Sequence, residues 1–219
     1  MTAQSRGRAW FALTALVAVF ALALQVVITA GYQGGHFPTV GGRVFNLFCF
    51  FTIQSNVLVG ATSLVLAICP SASSMIFRVV WFAALVDITI TALVYHTVLA
   101  GLEQLEGHAA TADVLLHPVV PVMAVAGWLL FGPRGFATAH VAGWAMLIPL
   151  GWVAFTLVRG PIIDYYPYPF LDVRDLGYAR TLLNAAFVAL LFVGLAAALI
   201  FLDRWLARAR YRPKELPRS

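Results

Sequence analysis

Two polar residues interrupt long apolar runs in this chain, and their types are those that nucleophilic catalysis requires. Thr52 lies in FNLFCFFTIQSNVLVG, with Gln54, Ser55 and Asn56 close behind it, and His117 lies in ADVLLHPVVPVMAVAGWLL. A hydroxyl facing an imidazole is the minimum set for acyl transfer, because the base takes the hydroxyl proton as the oxygen attacks. Polar groups inside lipid need partners, and ionisable ones there are functional candidates by default.

The runs around them must be membrane helices. The chain of 219 residues is 62% hydrophobic and 11% charged, and its mean hydropathy is +0.89. No soluble domain of this length buries so much apolar surface, so the expected class is an all-α polytopic membrane protein. The net charge of +5 gathers at the ends of apolar runs, which fits topology and lipid headgroups rather than nucleic acid. Cys49 and Cys69 fall on one predicted helix, roughly 30 Å apart along its axis, so no disulfide joins them. No cysteine metal motif is present, and neither metal nor cofactor is expected.

Runs of spanning length occur at about 10–31, 45–69, 76–100, 113–131, 138–159 and 178–202. The first is too long for a typical signal-peptide core and is read as a span. Arginine and lysine counts orient the bundle. Arg6, Arg8, Arg78, Arg134 and the basic tail at 203–219 lie on one side, against Arg43, Arg159, Arg174 and Arg180 on the other. The positive-inside rule then puts both termini in the cytoplasm, as in a multi-pass protein of the plasma (cytoplasmic) membrane. One domain is expected, and nothing in the sequence decides the oligomeric state. The stretch 160–178, GPIIDYYPYPFLDVRDLGY, reads either as an aromatic interfacial belt or as the wall of an outer-leaflet pocket.

In that frame Thr52 sits seven residues into the second span, roughly 10 Å deep, and His117 roughly 6 Å deep in the fourth. Cys49, Thr52, Asn56 and Ser63 share a helical face. Asn56 and Asn184 are candidate oxyanion or substrate-positioning donors, or else polar glue between helices. Asp113 reads as a helix N-cap that also has the i, i+4 spacing to orient His117. Tyr95 and His96 are accessory candidates near the outer end of the third span. Asp87 lies roughly 20 Å down that span and suits a structural or proton-handling role better than direct catalysis. Pro118 and Pro121 each remove a backbone donor just after His117.

FFTIQSN, LLHPVVP and YPFLD (168–172), in that order across six spans, resemble the androgen-induced-gene family of six-pass membrane proteins, particularly its bacterial branch. The resemblance covers most of the chain. It implies a threonine hydrolase acting on fatty acid esters of hydroxy fatty acids or related acyl esters, with Thr52 as nucleophile and His117 as base. Pro118, directly after His117, departs from the family pattern. The implied partners are membrane lipids and a lipid ester. Two other classes stay open: a non-catalytic lipid- or small-molecule-binding protein or transporter, and a haem protein with His96 and His117 as axial ligands.

Overall fold

A computed structural model describes residues 2–102 and 104–210, and every described regular element is helical. Six stretches are long and apolar enough to cross a membrane: Ala3–Gly31, Phe51–Ile68, Met75–Leu99, Gly107–Phe131, Ala139–Ile163 and Val173–Arg208. The chain is a six-pass membrane protein. The elements are α1 (Ala3–Gly31), α2 (Val40–Phe48), α3 (Phe51–Ile68), α4 (Met75–Val94), α5 (Gly107–Val114), α6 (Val120–Phe131), α7 (Ala139–Ala145), α8 (Leu147–Ile163) and α9 (Val173–Arg210). Residues 211–219 of the basic tail, and Glu103, lie outside the described residues.

Helix α4 is the axis of the bundle. Trp81 through Ile88 are buried without interruption, so this helix is enclosed on all sides. The outer helices keep only a stripe buried. Leu16, Val19 and Phe20 of α1, and Leu190, Val193 and Phe201 of α9, face outward where lipid chains replace water. Small residues let helix backbones approach: a Cβ at Gly60 of α3 would meet Ala18 of α1 at 3.4 Å.

The expectation of one uninterrupted span over 45–69 is corrected. Helix α2 ends at Phe48, Phe50 is extended (φ −74°, ψ 135°), and α3 begins at Phe51. Neither glycine nor proline marks this break; side chains from elsewhere stabilise it. Trp152 Nε1 donates to the Cys49 carbonyl at 2.9 Å, and Gln54 Nε2 donates to the Phe48 carbonyl at 3.0 Å. An interrupted backbone ladder away from water survives only where such partners receive its polar groups. Cys49 and Cys69 therefore do not share a helix, and Thr52 is the second residue of α3 rather than seven residues into a span.

Two more boundaries differ from the sequence reading. The fourth span starts at Gly107, so Asp113 lies inside a helix and is not an N-cap. Helix α8 runs to Ile163, and the loop that follows turns back through Pro169–Leu171 before α9 begins at Val173. Gly177, at φ 69°, kinks the start of α9 in a backbone region that favours glycine.

Arginine side chains close the loop end of the bundle. The Arg43 guanidinium donates to the carbonyls of Thr29 and Ala30 at the end of α1, and to Pro38. Arg159 donates to Asn46 Oδ1 at 3.0 Å. Arg174 grips Asp172 with Nε and Nη2 and reaches the Asp164 carbonyl with Nη1. The Arg174 contacts tie the two ends of the 164–172 loop together.

Candidate active site

Being second in its helix decides the chemistry of Thr52. The first amides of a helix have no intrahelical acceptor, so the Thr52 N–H is free to bond elsewhere. It donates to Tyr168 Oη at 3.2 Å, and the Thr52 hydroxyl meets the same oxygen at 3.3 Å. Tyr168 reaches this position from the 164–172 loop, held between Trp152 and Phe50 in edge-to-face contacts and stacked on Phe170. Burial pushes the Tyr168 phenol above its ordinary value, although hydrogen bonds from Thr52 pull the other way. The phenol is thus protonated at neutral pH and available as a donor.

Thr52 and Tyr168 line a narrow cavity of about 50 Å³. The walls are otherwise almost wholly apolar: Phe51 from α3, Ile90 and Val94 from α4, Trp152 and Val153 from α8, Val188 and Phe192 from α9. Thr91 adds a hydroxyl, but that hydroxyl is bonded to Ser55 Oγ at 3.0 Å. Phe170 and Leu171 complete the wall, so the proline-broken loop forms part of a pocket rather than a surface belt alone. Such a slot suits an alkyl chain with one polar group at its end.

His117 belongs to a second cluster. The chain forms π-helical turns at Tyr95–Leu99 and at Leu115–Val119, the latter containing Pro118. Single π turns widen a helix locally and recur at functional sites. Here they bring Tyr95 flat against His117, with ring centroids 3.7 Å apart and planes 13° from parallel. His117 Nδ1 lies 2.8 Å from Asp113 Oδ1, and Tyr95 donates its hydroxyl proton to Asp113 Oδ2. Asp113 thus fixes the imidazole through Nδ1 and leaves Nε2 as the uncommitted nitrogen, which is the arrangement of an oriented general base.

The two clusters adjoin without merging. Among the described residues, no hydrogen bond joins the Thr52 hydroxyl to the His117 imidazole, and His117 does not line the apolar cavity. Asn56 links them: its Nδ2 donates to the Thr52 carbonyl at 2.8 Å and to the Leu116 carbonyl at 3.2 Å. Both protons of that amide are therefore spent on backbone, and its oxygen is buried without a hydrogen bond. Asn184 donates to the Phe170 carbonyl at 2.9 Å, where it braces the loop. His96 is exposed, with Nδ1 on the Ala92 carbonyl. Asp87 is buried at 1% exposure, and neither of its carboxylate oxygens has a hydrogen bond.

Tyr168 and Trp152, which bond the Thr52 amide and the Cys49 carbonyl, are the site contacts that sequence reasoning passes over. The available signal is the YPFLD segment, whose first residue is the one that touches Thr52. Comparisons with protein-family models, with curated proteins and with solved structures find no match.

Proposed function

We propose that this membrane protein hydrolyses acyl esters of lipids within the bilayer, with Thr52 as nucleophile and His117 as base. The observation that carries the reading is the environment of the Thr52 hydroxyl. It opens on an apolar cavity beside an oxygen that already receives the Thr52 N–H. An ester carbonyl oxygen seated beside Tyr168 Oη, taking over the Thr52 N–H from it, lies within reach of the nucleophile, a backbone donor and the phenol O–H. The acyl chain then occupies the apolar slot.

In the first step His117 Nε2 takes the Thr52 hydroxyl proton as Oγ1 attacks the carbonyl carbon. The carbonyl electrons move onto oxygen, where the Thr52 N–H and the Tyr168 phenol donate to it. The C–O bond to the alcohol breaks, His117 returns its proton to that alcohol, and an acyl-threonine remains. Water, deprotonated by the same imidazole, releases the fatty acid and restores Thr52. The mechanism requires the hydroxyl to exchange its Tyr168 contact for the imidazole when substrate binds, because geometry without substrate is looser than in the reacting complex.

A non-catalytic lipid-binding role is the second reading. It is favoured by the Thr52–Tyr168 bond itself, which satisfies the hydroxyl without any base. Treatment of the purified chain with a fluorophosphonate, followed by mapping of the adduct by mass spectrometry, separates the two. The hydrolase reading expects an adduct on Thr52 that both T52A and H117A abolish. An adduct that survives T52A removes Thr52 from its role. A folded, monodisperse protein that takes no probe but still retains fatty acid favours the binding role.

A further inference from the structure

The opposite end of the bundle carries a second and larger cavity that the proposed chemistry does not use. It is open, with a volume of about 560 Å³, and lies where the start of α1, the end of α3, the α6–α7 turn and the end of α9 converge. Gln4, Gly7, Arg8 and Phe11 present one stripe of α1 to it, at helical spacing. Leu66 and Leu130 line its apolar part, so its walls combine cationic and hydrocarbon character.

The two arginines are held in different ways. Arg8 spends only Nε, which donates to the Ala67 carbonyl at 2.9 Å near the end of α3. Its side chain is exposed, and its terminal nitrogens point no hydrogen bond at any described residue. Arg134 is pinned in place: Nη2 donates to the Leu129 carbonyl, and Nη1 faces Asp203 Oδ1 at 3.9 Å. Asp203 in turn accepts the N–H groups of Gly135 at 2.8 Å and Ala137 at 3.3 Å. Arg134 is thus an ordered wall, while Arg8 offers an unspent fork that matches a phosphate.

We infer that this cavity is a binding site for an anionic phospholipid, whose phosphate meets Arg8 and whose acyl chain lies along the exposed Leu130 and the partly exposed Phe131. Position and charge both favour that occupant. The cavity opens on the end of the bundle that carries Arg6, Arg8, Arg78, Arg134, Arg204 and Arg208, at headgroup level. A free phosphate satisfies the guanidinium but leaves the apolar wall uncovered, whereas a lipid satisfies both.

The test is native mass spectrometry of the full chain in detergent with phosphatidylglycerol or phosphatidylcholine of identical acyl chains. The wild type is expected to retain phosphatidylglycerol about fivefold better, the preference that one arginine at the surface confers. R8Q is expected to abolish the preference, R8K to keep only the part that charge alone supplies, and T52A to leave it unchanged. Thermal unfolding without lipid checks that each variant is folded. Equal retention of the two lipids by the wild type overturns the proposal, as does an R8Q protein that still prefers phosphatidylglycerol. Millimolar inorganic phosphate that displaces the lipid reassigns the site to a free anion and overturns it equally.

Discussion

The two polar clusters of the loop-side half are built on opposite principles. Around Thr52 the backbone is broken, and the polar groups arrive from far along the chain: Tyr168 from 116 residues away and Trp152 from 103 residues away from Cys49. Around His117 the backbone is continuous, and the key partner, Asp113, is one helical turn back. The first cluster is buried and opens only on an apolar cavity; the second is half-buried. On the proposed hydrolase reading, the difference separates two needs of acyl transfer. Starting a helix at Phe51 gives Thr52 an amide that bonds outside its own helix. Orienting the imidazole takes only side chains four residues apart. Asn56 bonds to backbone on both sides and makes the two one structure.

The decisive way to break that view is a double-mutant cycle in a lipid-ester turnover assay. T52A and H117A are each expected to lower kcat by about a thousandfold or more, and the double variant to be no worse than either single. Multiplying losses make the clusters two independent sites. Y168F is next in size. It removes one donor to the developing oxyanion and is expected to lower kcat about a hundredfold with KM nearly unchanged. A rise in KM alone assigns Tyr168 to substrate binding. D113N should cost about tenfold in kcat, through loss of imidazole orientation, with lipid retention unaltered.

The smallest effect concerns the loop that delivers Tyr168. The hydrogen bond from Arg174 holds the Asp172 carboxyl below the usual carboxylate range, in spite of partial burial. A carboxyl with a depressed folded-state pKa adds stability above its unfolded value, and that stability is lost as pH falls through the folded value. The thermal stability of the wild type is therefore expected to fall from about pH 4 downward, and that of D172N to be flatter over the same window. Identical slopes detach the loop from the Arg174–Asp172 pair.

Much of this was legible in the sequence, for physical reasons that also explain the gaps. Six spans follow from hydropathy alone, because lipid demands long apolar helices. The Asp113–His117 pair is readable from i, i+4 spacing, even though Asp113 proved not to be an N-cap. The break at Cys49–Phe50 is not readable: no glycine or proline signals it, and its stability lies in Trp152 and Gln54. Placing Thr52 well inside a span followed from missing that break. Asn56 and Asn184 carry the right chemistry for an oxyanion donor, but tertiary contacts commit Asn56 fully, and Asn184 in part, to backbone carbonyls. Depth alone placed Tyr95 near His117, while their stacking depends on two π turns that no periodicity marks.

The broken backbone at Cys49–Phe50 also bears on how the molecule is made. As the chain emerges during synthesis, residues 40–68 enter the membrane long before Trp152 or Tyr168 has been translated. Until then the Cys49 carbonyl and the Thr52 amide lack their partners, and an unbroken helix satisfies that stretch better. The contacts around Thr52 are thus completed only once the fifth crossing and the loop after it have been made. A chain truncated after the fourth crossing carries Thr52 without the tyrosine and the tryptophan that hold its surroundings.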